Sequence, residues 1–225
     1  SCMLEQWGWT NYSCDYEIGA KYLKDVLEGA ADVTVEDISA LSDYLGKLGN
    51  PDVGGFPLAK FKERQKAYYD AECDALRAMG DAIAQAQGHF VHDSTGSFCE
   101  ITDEDLIRKI GEQTLFVYLK TDEKTEQDVL RRAQEYPKPL FFPSAFLDEK
   151  IAQFLLENGL HSVEEITPDD FSRWVFPKLF EARKPKYQRL ADLYGVTIPS
   201  STFLGLSSSE QFLETVFKAV EAKHG

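Results

Sequence analysis

Basic residues are scarce in this chain: lysine and arginine number 24 against 38 aspartates and glutamates, a formal net charge of −14 over 225 residues. No Lys/Arg run reaches the length of a nucleic-acid-binding arm, and the overall field repels a phosphate backbone, so no nucleic-acid partner is expected. Long apolar runs are also missing. Nothing approaches the roughly 20 residues that a membrane-spanning helix requires, and no membrane partner is expected. The opening Ser1-Cys2-Met3-Leu4-Glu5-Gln6-Trp7 lacks a basic stretch followed by an apolar core, so it does not read as a signal peptide. Cys2, Cys14, Cys73 and Cys99 are widely spaced and form no CxxC pair, which suits reduced thiols in a cytoplasmic protein better than disulfides or zinc ligands. Two motifs are absent. Without a GxSxG nucleophile elbow, an α/β hydrolase is disfavoured. A phosphate-cradling GxxxxGK[ST] string is missing too: Gly46-Lys47 is followed by Leu48, and Leu41 stands five residues before Gly46.

With 43% hydrophobic residues there is ample material for one core, and residues 1–225 read as a single domain. Short β-like runs alternate with helical stretches, which predicts an α/β fold with a parallel sheet and helices on both faces. Strands are expected at Trp9–Tyr12, Phe90-Val91, Thr114–Leu119 and Gly195–Ile198. The spacing of Tyr69, Cys73, Leu76, Gly80 and Ile83 predicts a helix over about 58–86, after the turn-rich break Asn50–Pro57. Further helices are expected from about Asp15, from Thr34, over 126–135, over 144–158 with Gly159 as its C-terminal cap, from Thr167-Pro168, and over 209–223. Residues 131–182 read as an enlarged helical lid.

Three groups carry chemistry. Asp15, just past the first strand, faces the crevice where α/β sheets bind ligands; it suits orienting or deprotonating a hydroxyl, or equally capping the helix it starts. In Phe90-Val91-His92-Asp93-Ser94-Thr95-Gly96-Ser97, an apolar strand ends in a carboxylate followed by a small hydroxyl-rich turn. That combination suits an anionic substrate with a metal at Asp93, or a polar turn capping its own helix. The basic residues gather at Arg131-Arg132, at Lys138 and at Arg183-Lys184-Pro185-Lys186. Arginine forks grip phosphate or carboxylate with two bonds, although a solvated face paired with Glu126, Glu135 or Glu181 reads equally well.

These residues resemble the shikimate kinase family and its wider group of small-molecule P-loop kinases. Trp9–Ile18 looks like the family's second strand and DxD segment, with Asp15 at the second aspartate and Ser13 at the first. Asp93–Ser97 stands where the family carries its glycine-rich substrate turn, matched at Gly96. Arg131, with six residues before Lys138-Pro139-Leu140, is similar to the lid pattern, and Arg183-Lys184-Pro185-Lys186-Tyr187 to the RxPxY segment that grips the substrate's acid group. Arg64 is the nearest substitute for the Arg of the family's FRxxE pattern. The strings Phe61–Gln65 and Phe90–Glu100 also resemble a bacterial and phage-associated ATPase group. The resemblance implies a transferase fold that binds ATP and Mg²⁺ and phosphorylates a small hydroxylated, anionic molecule. It assigns Asp15, Asp93, Arg131 and Arg132 to catalysis, and Arg183, Arg64, Ser94, Thr95, Gly96, Ser97 and Lys138 to substrate. It also implies a first strand and phosphate loop that the chain does not contain, the strand lying at the sheet's centre. The alternative is a non-catalytic binding or assembly module on the same fold, favoured by the missing loop.

Overall fold

The computed structural model describes residues 2–22 and 44–225, so the helix start expected at Thr34 lies outside the described residues. In chain order these carry α1 (Cys2–Gln6), β1 (Thr10–Ser13), α2 (Cys14–Glu17), α3 (Leu58–Gln85), β2 (Phe90–Asp93) and α4 (Glu104–Gln113). Then follow β3 (Phe116–Lys120), α5 (Glu123–Glu135), α6 (Ser144–Asn158), α7 (Pro168–Tyr194), β4 (Gly195–Pro199) and α8 (Ser209–His224). The chain divides into two compact units. The first comprises Ser1–Ser13, Leu76–Val129 and Ala182–Gly225; the second comprises Cys14–Ala75 and Leu130–Glu181.

All four strands belong to the first unit. β1 pairs in parallel with β2, from Thr10 opposite Phe90 to Ser13 opposite Asp93. β3 pairs in parallel with β4, from Phe116 opposite Gly195 to Lys120 opposite Pro199. The sequence predicts a parallel sheet; the described strands form two parallel sheets of two strands each. Both pairs are closed by long helical connections, as parallel neighbours require. β4 begins at Gly195 for a steric reason: a Cβ there would stand 1.8 Å from the Phe116 carbonyl oxygen. Val196 and Ile198 then pack with Val216 of α8, flanked by Val117, Phe203 and Phe212.

The second unit is organised around an aromatic and aliphatic core that includes Leu48, Phe61, Phe142, Phe154, Phe171 and Val175. On α3 the buried residues are Phe61, Gln65, Tyr68, Ala71, Glu72, Cys73, Ala75, Leu76 and Met79, a face that includes Cys73 and Leu76 of the stripe expected from the sequence and is wider than it. Two of its members are polar. Gln65 acts as a surrogate strand, donating to the Leu140 carbonyl at 3.1 Å and accepting from the Phe142 N–H at 2.7 Å. Helix α6 ends as its sequence predicts: Gly159 adopts φ 65°, and its N–H returns to the carbonyls of Leu155 and Leu156. The segment expected as an inserted lid therefore shares one core with Leu48 and Phe61 and groups with residues 14–75. No helix among the described residues is long and apolar enough to cross a membrane.

Candidate functional site

Strand β2 ends at Asp93, whose residue is exposed, and the chain turns at once through Ser94-Thr95-Gly96-Ser97. Thr95 and Ser97 are buried within this turn. The two hydroxyls lie 3.1 Å apart, and the Ser97 N–H donates to Thr95 Oγ1 at 3.2 Å. The Thr95 carbonyl accepts from the Phe98 N–H at 3.3 Å and from the Tyr187 hydroxyl at 3.4 Å. Gly96 is not among the glycines with positive φ, so the turn does not need glycine for its backbone. What glycine provides is a bare surface: an added Cβ would meet Arg183 Nη1 at 4.0 Å, an ordinary contact.

Beneath the turn lies Glu100, its side chain only 2% exposed. It closes the short 3₁₀ helix Phe98–Glu100. One carboxylate oxygen accepts from Arg183 Nε at 3.2 Å, and the other from Lys186 Nζ. Arg183 and Lys186 are three residues apart on α7, hence on one face, which lets a single carboxylate hold both. Their neighbour Lys184 pairs with Glu126 Oε2 at 2.7 Å. Tyr187 stacks on Tyr118 of β3 with ring centroids 5.6 Å apart. The Arg183 fork is thus anchored through Nε while Nη1 lies over Gly96.

Two nearby groups are removed from acid–base and nucleophilic duty by their surroundings. Burial pushes the Cys99 thiol up to about 12, with Arg183 opposing, so no thiolate forms near neutral pH. Burial likewise pulls His92 down to about 4 against the attraction of Asp93, leaving a neutral ring packed near Tyr12 and Phe98.

Of the residues singled out in the sequence, the structure brings together Ser94, Thr95, Gly96, Ser97 and Arg183, with Asp93 at the mouth of the turn. Ser13, where the resembled family has its first aspartate, is the register partner of Asp93. At that level of the sheet the carboxylate therefore comes from β2 rather than β1. The remaining candidates belong to the second unit. Asp15 is half-buried in the first turn of α2. Arg64 lies over the rings of Phe56 and Tyr44, 4.1 and 5.0 Å from their centroids, and donates to the Tyr44 carbonyl at 2.5 Å. Arg131 is exposed and pairs with Glu135 one turn along its own helix at 2.9 Å. Arg132 and Lys138 are exposed. Sequence reasoning had Lys186 and Tyr187 in one string with Arg183, at i, i+3 and i, i+4 spacing, but gave no role in the group to Glu100.

A magnesium ion at Asp93 would find a single carboxylate there. No group of three or more His, Cys, Asp or Glu side chains able to hold a metal occurs among the described residues. That donor set fits magnesium in its usual manner of binding, by one carboxylate with water and substrate phosphates completing the octahedron. Compared with protein-family models, curated proteins and solved structures, the chain matches none.

Proposed function

We propose that the Ser94–Ser97 turn and Arg183 form the seat of a small hydroxylated anion in a phosphotransferase or ATPase. The single observation carrying this reading is the buried Glu100 held by both Arg183 and Lys186 under a turn of small hydroxyl residues. Two cations gathered on one carboxylate concentrate basic groups locally in a chain whose net charge is −14. Anchoring Nε on Glu100 pre-organises the guanidinium, so little rotamer freedom is lost when an anion arrives. Thr95 and Ser97, already fixed by their mutual hydrogen bond, present a rigid backbone, and Asp93 supplies the carboxylate that a transferable hydroxyl or a magnesium ion would use. ATP and Mg²⁺ belong to this reading through the family resemblance. The second reading, a binding module without turnover, is favoured by the lack of a GxxxxGK[ST] string in the sequence.

Isothermal titration with small hydroxy acids, inorganic phosphate and ATP–Mg²⁺ tests the reading. At least one of these anions is expected to bind, with Arg183→Lys weakening it about tenfold, or about 1.4 kcal/mol, because lysine keeps the charge but loses the fork. If none of the anions binds, or if Arg183→Lys binds as tightly as the parent, the anion seat is refuted. Binding of an anion with no ATP consumption would favour the binding module.

A further inference from the structure

The basic residues at the C-terminal end of α7 are not all paired alike. Lys184 pairs with Glu126 of α5 at 2.7 Å, and Arg189 with Glu104 of α4 at 3.1 Å. Lys186 instead shares Glu100 with Arg183, one cation on each carboxylate oxygen. The two attachments differ in firmness. Arg183 is fixed through Nε and its side chain is mostly buried, whereas the Lys186 side chain is 44% exposed on a flexible stem. A solvated ammonium gains little from such a pair, so its transfer to another oxyanion costs little. Glu100 keeps its bond to Arg183 when Lys186 leaves. Spacing then selects the ligand. Because both cations bond oxygens of one carboxylate, they lie within reach of a single oxyanion group rather than of acid groups on separate carbons. A phosphomonoester places up to about two negative charges and three acceptor oxygens in that span, more than a carboxylate can.

Resting on the anion seat proposed above, we infer that its ligand is the phosphomonoester of a small hydroxylated molecule. Arg183 supplies the fixed fork, and Lys186 moves from Glu100 to the phosphate as the group that selects it over a carboxylate. Asp93, at the mouth of the turn, repels the phosphate and accepts from a hydroxyl, so the ligand lies with its phosphate toward α7 and its hydroxyl toward Asp93. The acceptor of a phosphotransferase built on this seat then already carries one phosphate.

Isothermal titration of the full chain provides the test. Glycerol 3-phosphate is compared with glycerate, which matches it in carbons and hydroxyls, and with malate, which spreads a double charge over separate carboxylates. Glycerol 3-phosphate is expected to bind about tenfold more tightly than either. Lys186→Met should bring it within about twofold of glycerate, and Lys186→Arg should keep most of the preference. Lys186→Gln provides a second neutral variant, with the same expected result, if Lys186→Met does not fold. A preference that survives neutralisation overturns the role of Lys186. Glycerate or malate binding to the parent as tightly as glycerol 3-phosphate overturns the phosphomonoester. In both cases the anion seat stands, provided that Arg183→Lys still weakens binding. If none of the three binds, the phosphomonoester is overturned, and if inorganic phosphate also fails to bind, the seat falls with it.

Discussion

Glu100 is the most informative residue to perturb, because its carboxylate is 2% exposed and its two partners differ sharply in exposure, 14% for Arg183 and 44% for Lys186. Stranding a buried charge by removing its partner costs about 3–5 kcal/mol when nothing compensates. Here Lys186 keeps hold of the second oxygen, so Arg183→Leu is expected to cost about 2–3 kcal/mol. Lys186→Met removes a half-exposed, solvent-screened partner and should cost at most about 1 kcal/mol. Glu100→Gln preserves shape but leaves two cations facing each other, at a cost of about 2 kcal/mol. In the Arg183→Leu/Glu100→Gln double variant the under-paired carboxylate and the facing cations are both gone, leaving only the half-exposed, solvated Lys186, so it should lose about 1–3 kcal/mol less than the sum of the singles. Urea denaturation followed by circular dichroism measures all four. In thermal melts each kcal/mol corresponds to about 2–4 °C for a chain of this size. The reasoning fails if Arg183→Leu and Glu100→Gln both stay within about 0.5 kcal/mol of the parent, or if the double variant is strictly additive.

The remaining predictions concern the strands that frame the site. His92 has a folded value of about 4 against 6.5 unfolded, so between those values the unfolded chain binds the extra proton. Stability is therefore full above about pH 6.5 and is lost as the pH falls toward 4, by up to about 3 kcal/mol. His92→Phe should lose measurably less than the parent between pH 7 and 4.5, and equal losses would refute the assignment. Gly195→Ala would place a Cβ 1.8 Å from the Phe116 carbonyl oxygen, which a strand cannot absorb without parting. Exchange protection of Phe116–Lys120 should collapse while the second unit's core stays protected; an unchanged β3 would show that the pairing tolerates a side chain there.

Local order was largely legible in the sequence where one physical effect dominates. Helix α6 and its Gly159 cap, the strand at Phe90, and the proline-led start of α7 follow from periodicity, left-handed capping and first-turn preference. Helix α4 was passed over, although Asp103 caps it through the Leu106 N–H at 3.0 Å and Glu104 and Asp105 fill its first turn. The expected α3 stripe caught Cys73 and Leu76 but not the full width of the buried face, because that face also carries Gln65 and Glu72, which hydropathy counts as surface. Helix α7 was not foreseen at its full length, since Pro177 and Pro185 lie inside it and each removes a backbone donor. Pairing between strands is a property of distant partners, so nothing local in Thr10–Ser13 or Phe116–Lys120 told whether they would share a sheet. For the site, sequence supplied the turn and Arg183. It could not supply Glu100, which reads as one acidic residue among 38 until the fold buries it.

That burial explains how an acidic chain presents a cationic surface. Several exposed lysines and arginines pair with neighbours one helical turn away, as with Arg131 and Glu135, Lys66 and Asp70, and Lys218 and Glu214. Such pairs are solvated, worth little, and electrically silent at a distance. Arg183 and Lys186 differ because their shared carboxylate is withdrawn beneath them, out of the high-dielectric medium that would screen it. A buried anion fixes two cations with fewer negative charges than surface pairing would consume, and it holds Arg183 Nη1 on the side where Gly96 offers no side chain to cover it. Selection for stability alone would be served as well by apolar residues of similar volume at these positions. A trio of this composition against a turn of small hydroxyl residues is what the proposed anion seat calls for.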